Sequence, residues 1–222
     1  MTEYIEKSIL EKKVGDRMKL MKTLQDNYGY NTPILLSEMN IVGVSAIALR
    51  QMMTRLVRKG SIERFAQGVY YIPTTTALGK SKIDVKKIYE KKYISSDEET
   101  YGYYTGLALA NAVGLTTQMP NIIEIVTNNE KSRVREVQIG KQKLQLRKAK
   151  TTITRENAKV LQLLDLINKQ LREKLTEVEK ECIASFAKEQ DITRDSIYQY
   201  ISYFPSRVAK IVMESRLLDE LR

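Results

Sequence analysis

The run from Ser45 to Pro73, SAIALRQMMTRLVRKGSIERFAQGVYYIP, constrains the fold more than any other stretch. Ser45 is a good helix N-cap, because its side-chain oxygen can accept from the unpaired amides of a first turn. The helix-forming residues 46–59 follow, and Gly60 stops them. Two short β-like pieces, residues 61–65 and 68–72, are joined at Ala66 and Gln67 and end at Pro73. A capped helix that feeds at once into a hairpin leaves two readings open. It is either an ordinary helix-to-hairpin corner or the reading head of a nucleic-acid-binding module.

Helical geometry separates the faces of residues 46–59. At about 100° per residue, Leu49, Met52, Met53, Leu56 and Val57 share one broad sector, which must be buried. Opposite them lie Ile47, Arg50, Gln51, Thr54 and Arg58, with Arg55 at the margin. That face is cationic and hydrogen-bonding and carries no acid. A helix in the major groove needs such a face: arginine forks onto guanine's two acceptors, and glutamine pairs with adenine's donor and acceptor. Arg58, Lys59 and Arg64 suit phosphate contacts, and Ser45 sits at a helix N-terminus that favours phosphate. Between Ile41 and Lys80 there are six basic residues and one acid, Glu63. A solvated helix face beside a structural hairpin is the alternative, and the missing acids and the basic hairpin weigh against it.

The flanking sequence completes a module. Apolar residues recur at helical spacing over residues 2–13 and again from Met18 to about Asp26. NYGYN is turn chemistry, and Thr32 with Pro33 should cap and open a short helix, PILLSEM. Two helices, a recognition-length helix and a two-stranded wing make a winged helix-turn-helix over residues 1–73. Residues 74–222 then form a second, mixed α/β domain. Its helical spacing includes Val85, Ile88 and Tyr89, and a helix from Tyr103 to Val113 is capped by Gly114. Three strands over 122–150 make a small sheet, and helices occupy 156–220. Thr176 and Glu179 read as a capping box, Asp191 or Thr193 starts the next helix, and Pro205 opens the last. The fold class is therefore α+β.

A second basic concentration lies in residues 131–155, with nine Lys or Arg against one acid, Glu136. Strand alternation puts Lys141, Lys143, Gln145 and Arg147 on one face and Leu144 and Leu146 on the other. Lys141, Lys143 and Arg147 thus form a possible second surface for phosphates, or else the exposed face of a small antiparallel sheet.

What is missing narrows the chemistry. With no histidine, Ser-His and Cys-His catalysis and histidine-based metal sites are excluded. The one cysteine, Cys182, shares a helical face with Val178, Ile183 and Phe186 and reads as a small core residue. No phosphate-cradling GxxxxGK[ST] or nucleophile-elbow GxSxG is present, and Asp97, Glu98 and Glu99 are a solvated loop. The expectation is a non-enzyme with no cofactor and no metal. No membrane span is expected, and Glu3 and Glu6 stand where a signal peptide would need basic residues, which points to the cytoplasm. The balance of 37 Lys and Arg against 27 Asp and Glu, +10, favours an anionic partner.

LVRKGSIERFAQGVYYIP resembles the wing of the AbiE-type (abortive-infection) antitoxins, and YTGLALANAVGLTTQMPNIIEIVTNN resembles a helix-Gly-Leu-Thr-Thr-Gln-x-Pro-strand segment of the same family. The likeness spans about residues 41–130, and the long approach from Asp26 to Thr32 departs from it. Locally, GLTTQMP is explained by helix-stop and turn chemistry alone. The resemblance implies a transcriptional repressor that binds inverted repeats of double-stranded DNA in its own promoter. It also implies a role as the antitoxin of a type IV toxin–antitoxin operon in phage defence, opposing a nucleotidyltransferase-like toxin without a stable complex. Carried over by position, the DNA-facing residues are Ser45, Arg50, Gln51, Thr54, Arg55, Arg58 and Arg64. A stand-alone winged-helix regulator, or an interaction protein whose helical C-terminal half binds a protein partner, is the alternative.

Overall fold

A computed structural model describes residues 19–171 and 175–221. The expected helix over residues 2–13 lies outside the described residues. The chain is mixed α+β and divides into two compact units, the first ending at Ile88 and the second beginning at Tyr89.

In the first unit a helix, α1, covers residues 19–28 and buries Leu20 and Leu24. Gly29 turns the chain at φ +64, and β1 follows at Ile34–Leu35. Next come α2 (Ala46–Arg58), β2 (Glu63–Ala66) and β3 (Val69–Tyr71). The three strands form one antiparallel sheet in the order β1-β3-β2. Leu20, Leu24, Ile34, Leu49, Met53, Leu56, Ile62, Tyr70 and Ile72 make its core. Fully burying such side chains is worth roughly 1.5–3 kcal/mol each, which fixes the face that α2 turns inward.

PILLSEM is not a helix. Ile34 pairs with Tyr70 and Leu35 with Val69, and a turn follows at residues 36–38. Both strand residues are buried, and the Thr32 hydroxyl donates to the Tyr30 carbonyl instead of capping a turn. The compact unit also continues past Pro73 through the hairpin of β4 (Thr75–Thr76) and β5 (Gly79–Lys80). Asn31, Thr74 and Ser81 bond to one another and tie that hairpin back to the unit. Helix α3 (Val85–Tyr93) contains the boundary between the units.

The second unit is built on a four-stranded sheet of β6 (Gly102–Thr105), β7 (Ile122–Thr127), β8 (Val134–Ile139) and β9 (Gln142–Lys148). Its order is β6-β7-β9-β8, with β7 and β9 parallel and the other pairs antiparallel, so the sheet is mixed and not antiparallel throughout. The helix expected from Tyr103 to Val113 is shorter: residues 102–105 are β6, and α4 is Gly106–Ala112. Gly106 makes the break at φ +67, a conformation open to glycine.

Helix α5 (Ala158–Gln170) is the centre of this unit. Every residue from Val160 to Ile167 is buried, as expected of a helix covered on all sides. Around it pack α6 (Glu177–Glu189), α7 (Arg194–Tyr200) and α8 (Ser206–Glu214), which bury Ile183, Ala187, Ile197, Val208, Ile211 and Val212. The helix starts follow the local chemistry. Thr176 and Glu179 form a reciprocal capping box, Thr193 caps α7, and Pro205 precedes α8. Cys182 is half-buried and Val178 is 66% exposed, so they are not core residues; α6 turns Ile183 and Ala187 inward instead.

Among the described residues, no helix is long and apolar enough to cross a membrane.

Candidate nucleic-acid interface

The geometry of α2 starts at its cap. Ser45 is extended, and its Oγ accepts from the Ala48 amide at 3.2 Å. There is no acid in the first turn, and Arg55 and Arg58 stand in the last. The helix stops where the Gly60 amide reaches the Val57 carbonyl, with Gly60 at φ +69.

Leu49, Met53 and Leu56 point into the core, whereas Arg50, Gln51, Thr54, Arg58 and Lys59 are exposed and Arg55 is half-buried. Among the described residues, none of Arg50, Arg55, Arg58, Lys59 and Arg64 is held in an ion pair. Thr54 has committed its proton to the Arg50 carbonyl at 2.8 Å, which leaves the hydroxyl as an acceptor on this face. Ile47 is 67% exposed among these polar groups.

The hairpin behind α2 carries Arg64. Its register shifts between Arg64 and Ala66, a bulge that leaves Phe65 unmatched and sharpens the local twist. Arg64 Nε donates to the Ala66 carbonyl at 3.4 Å across this bulge, which orients an otherwise exposed guanidinium. Glu63, the one acid nearby, is bound by the Lys80 ammonium at 2.7 Å, and the same ammonium donates to the Gly60 carbonyl at 2.8 Å. The acid is thereby neutralised within the unit. Lys80 is a brace of that unit more than a free cation.

The second basic surface is less open than the residue count over 131–155 implies. Lys141 and Lys143 are exposed, and Leu144 and Leu146 are fully buried beneath the strand, as alternation requires. Arg147 is committed: its Nε donates to Glu124 at 3.1 Å and its terminal nitrogen to Gln145 at 2.7 Å. Lys169 donates to the same Glu124 carboxylate at 2.9 Å and lies 3.9 Å from Asp165. Asp165 in turn accepts the Thr105 hydroxyl at 2.5 Å. Burial alone would raise the Glu124 carboxyl, but the Lys169 ammonium and Arg147 guanidinium outweigh it and hold the group below the ordinary range.

Other cations of this surface are also occupied. Arg135 binds Glu130 at 2.7 Å, a carboxylate that also accepts the Lys131 and Ser132 amides. Arg155 donates to the carbonyls of Asp97 and Glu98, and the Lys150 ammonium sits 3.8 Å over the Phe204 ring. Burial lowers the Lys150 ammonium below its usual value.

Of the expected site residues, the structure therefore gathers Arg50, Gln51, Thr54, Arg55, Arg58 and Lys59 on one element, with Ser45 at its head. Lys141 and Lys143 are left as an exposed pair, and Arg147 belongs to a network with Glu124, Lys169 and Asp165. That network carried one sequence signal, an acid inside each of two apolar runs, IIEIV and LLDLI. Leu78, 100% exposed in this structure, carried no such signal, since exposure is decided by the fold.

The model of one protein family, described as "Family of unknown function (DUF6088)", matches residues 28–194. No curated protein matches the chain.

Proposed function

The chain belongs to DUF6088, a family of unknown function, and we propose that it is a sequence-specific DNA-binding transcriptional repressor of the cytoplasm. In this reading the first unit is a winged helix-turn-helix whose α2 enters the major groove. The second of the three helices is reduced to the turns between β1 and α2. One observation carries the proposal: α2 exposes Arg50, Gln51, Thr54 and Arg58 on a single acid-free face, and among the described residues neither arginine is held in an ion pair. Arginine and glutamine so placed can read guanine and adenine edges. Arg55, Lys59 and the bulge-oriented Arg64 meet phosphates, and Ser45 presents the helix N-terminus to the backbone.

Binding of the chain to duplex fragments from upstream of its own gene tests this. Sequence preference with a steep fall in affinity as salt rises is expected. If Arg50→Ala together with Gln51→Ala left the preference unchanged, α2 would not be the reading element.

The regulatory role extends to an antitoxin on the resemblance of RKGSIERFAQGVYYIP and GLTTQMP to the AbiE-type family. The chain then represses its own operon through promoter inverted repeats and opposes a nucleotidyltransferase-like toxin without forming a stable complex. Expressing a nucleotidyltransferase encoded beside this gene should arrest growth, and co-expressing the chain should restore it. Continued arrest would remove the antitoxin role and leave DNA binding standing.

A further inference from the structure

The hairpin of β4 and β5 is a projection that the reading of α2 does not use. Its strands and its tip are exposed throughout residues 75–80, and Leu78 at the tip is 100% exposed. An isolated two-stranded hairpin is marginal in water, so one this short needs an external support. The structure supplies it at the base. The Ser81 amide donates to the Thr74 carbonyl and the Thr74 amide to the Ser81 hydroxyl, both at 2.9 Å. Asn31 receives the Ser81 hydroxyl and donates to Thr74, and the Tyr71 hydroxyl donates to the Ser81 carbonyl.

The tip is also internally ordered. The Thr76 hydroxyl donates to the Gly79 carbonyl at 3.1 Å and accepts from the Leu78 amide at 3.3 Å. Gly79 adopts φ +102, which favours glycine. An apolar side chain is thus held away from the core on a braced stalk.

Position and charge indicate what it meets. The Lys80 ammonium lies on the Gly60 carbonyl, so the hairpin rises beside the C-terminal end of α2, next to Arg58 and Lys59. Residues 74–83, TTTALGKSKI, contain no acid, and Lys82 adds a cation beside Lys80, whose ammonium is held by Glu63; Asp84 follows them. Exposed Thr75 beside the tip can donate its hydroxyl to a phosphate oxygen, whereas the Thr76 hydroxyl is committed to the Gly79 carbonyl. Proteins that enter the minor groove commonly insert an apolar wedge, leucine among them, between base steps.

We propose that the β4–β5 hairpin is a second DNA contact that seats Leu78 in the minor groove flanking the sequence read by α2. This rests on the DNA-binding reading of α2. The reach of the protein on DNA then exceeds the major-groove site by the adjoining minor-groove step, and the wedge favours flexible pyrimidine–purine steps there.

The test uses the full chain and a duplex that it selects from a random-sequence library, with 2-aminopurine placed in turn at the flanking base steps. Fluorescence should rise at one flanking step when the native chain binds. Leu78→Ala should abolish that signal and weaken binding by roughly tenfold, the scale set by burying a leucine side chain. Leu78→Met should keep both, and the base preference at the α2 site should be the same in all three proteins. Because Leu78 is fully exposed, its variants should melt with the native chain. Unchanged affinity and an unchanged 2-aminopurine signal for Leu78→Ala would overturn the hairpin proposal while leaving α2 binding intact. Failure of the native chain to select any duplex would overturn both readings.

Discussion

Arg50 and Arg64 carry the same charge but sit in different geometries, and the proposed reading gives them different work on DNA. Arg50 stands on the open face of α2 beside Gln51, whereas Arg64 is turned along the hairpin bulge by the Ala66 carbonyl. Under the proposed reading, Arg50→Ala should cost about 1–3 kcal/mol and relax base preference at one position. Arg64→Ala should weaken binding to all duplexes alike and reduce the salt slope by about 1. Equal losses of preference in both variants, measured by selection and by salt titration, would contradict that division. Ile47 adds a chemical probe of that reading, because an exposed apolar side chain on a helix that reads bases would suit the thymine methyl group. Replacing thymine by uracil at the contacted position should weaken the native chain several-fold and leave Ile47→Ala unaffected. The face of α2 was legible from sequence because helical angles are local. Arg147 was not: its carboxylate partner Glu124 is 23 residues away, and strand alternation alone leaves the arginine free.

At the scale of elements, the N-caps at Ser45 and Thr176 were readable, and Thr193 was one of two candidates with Asp191, since each cap and the amide it serves are three residues apart. Strand β1 was not readable in this way. Thr32-Pro33 is a helix-start signal, but pairing with β3 and burial of Ile34 and Leu35 override it. Gly102 and Gly106 show the same limit within TYGYYTGLALANAV, where alanine and leucine content suggests a helix from Tyr103 to Val113. A Cβ on Gly102 would lie 2.0 Å from the Tyr93 carbonyl oxygen and 2.8 Å from that of Val126, so the strand and its neighbours need a bare backbone there. A Cβ on Gly106 would meet the Glu124 carboxylate at 2.2 Å, and φ +67 adds strain. Gly102→Ala should therefore destabilise the full chain in urea unfolding by about 1–3 kcal/mol or more, the scale of overpacking with backbone shifts. Thr176→Ala, which removes a cap from α6, should cost only about 1 kcal/mol. A Gly102→Ala protein as stable as Thr176→Ala would show that β6 can move away from Tyr93.

For the molecule as a whole, charge and stability are linked through the acids that the fold has committed. The 37 Lys and Arg are offset by 27 Asp and Glu, and protonating those acids leaves the cations to repel one another. Glu124 and Glu130 are the acids whose positions make this specific. Both carboxyls are held below their ordinary range: burial opposes ionisation in each, but Lys169 and Arg147 outweigh it at Glu124. The Ser132 amide, Arg135 and the Lys131 amide do so at Glu130. A carboxylate whose folded value is lowered contributes its full stability above the unfolded value, about 4.3 for glutamate. That contribution is lost as pH falls from there through the lower folded value. The melting temperature should therefore be flat near neutrality with respect to these two groups and fall through the acid range. Glu124→Gln should melt lower than the native chain at pH 7, because Lys169 and Arg147 lose their anion. The two melting temperatures should converge as pH drops below the folded value of Glu124, where the native carboxyl is neutral as well. Equal melting temperatures at pH 7 would mean that the glutamate acts through its shape against Gly106, which glutamine shares, and not through its charge.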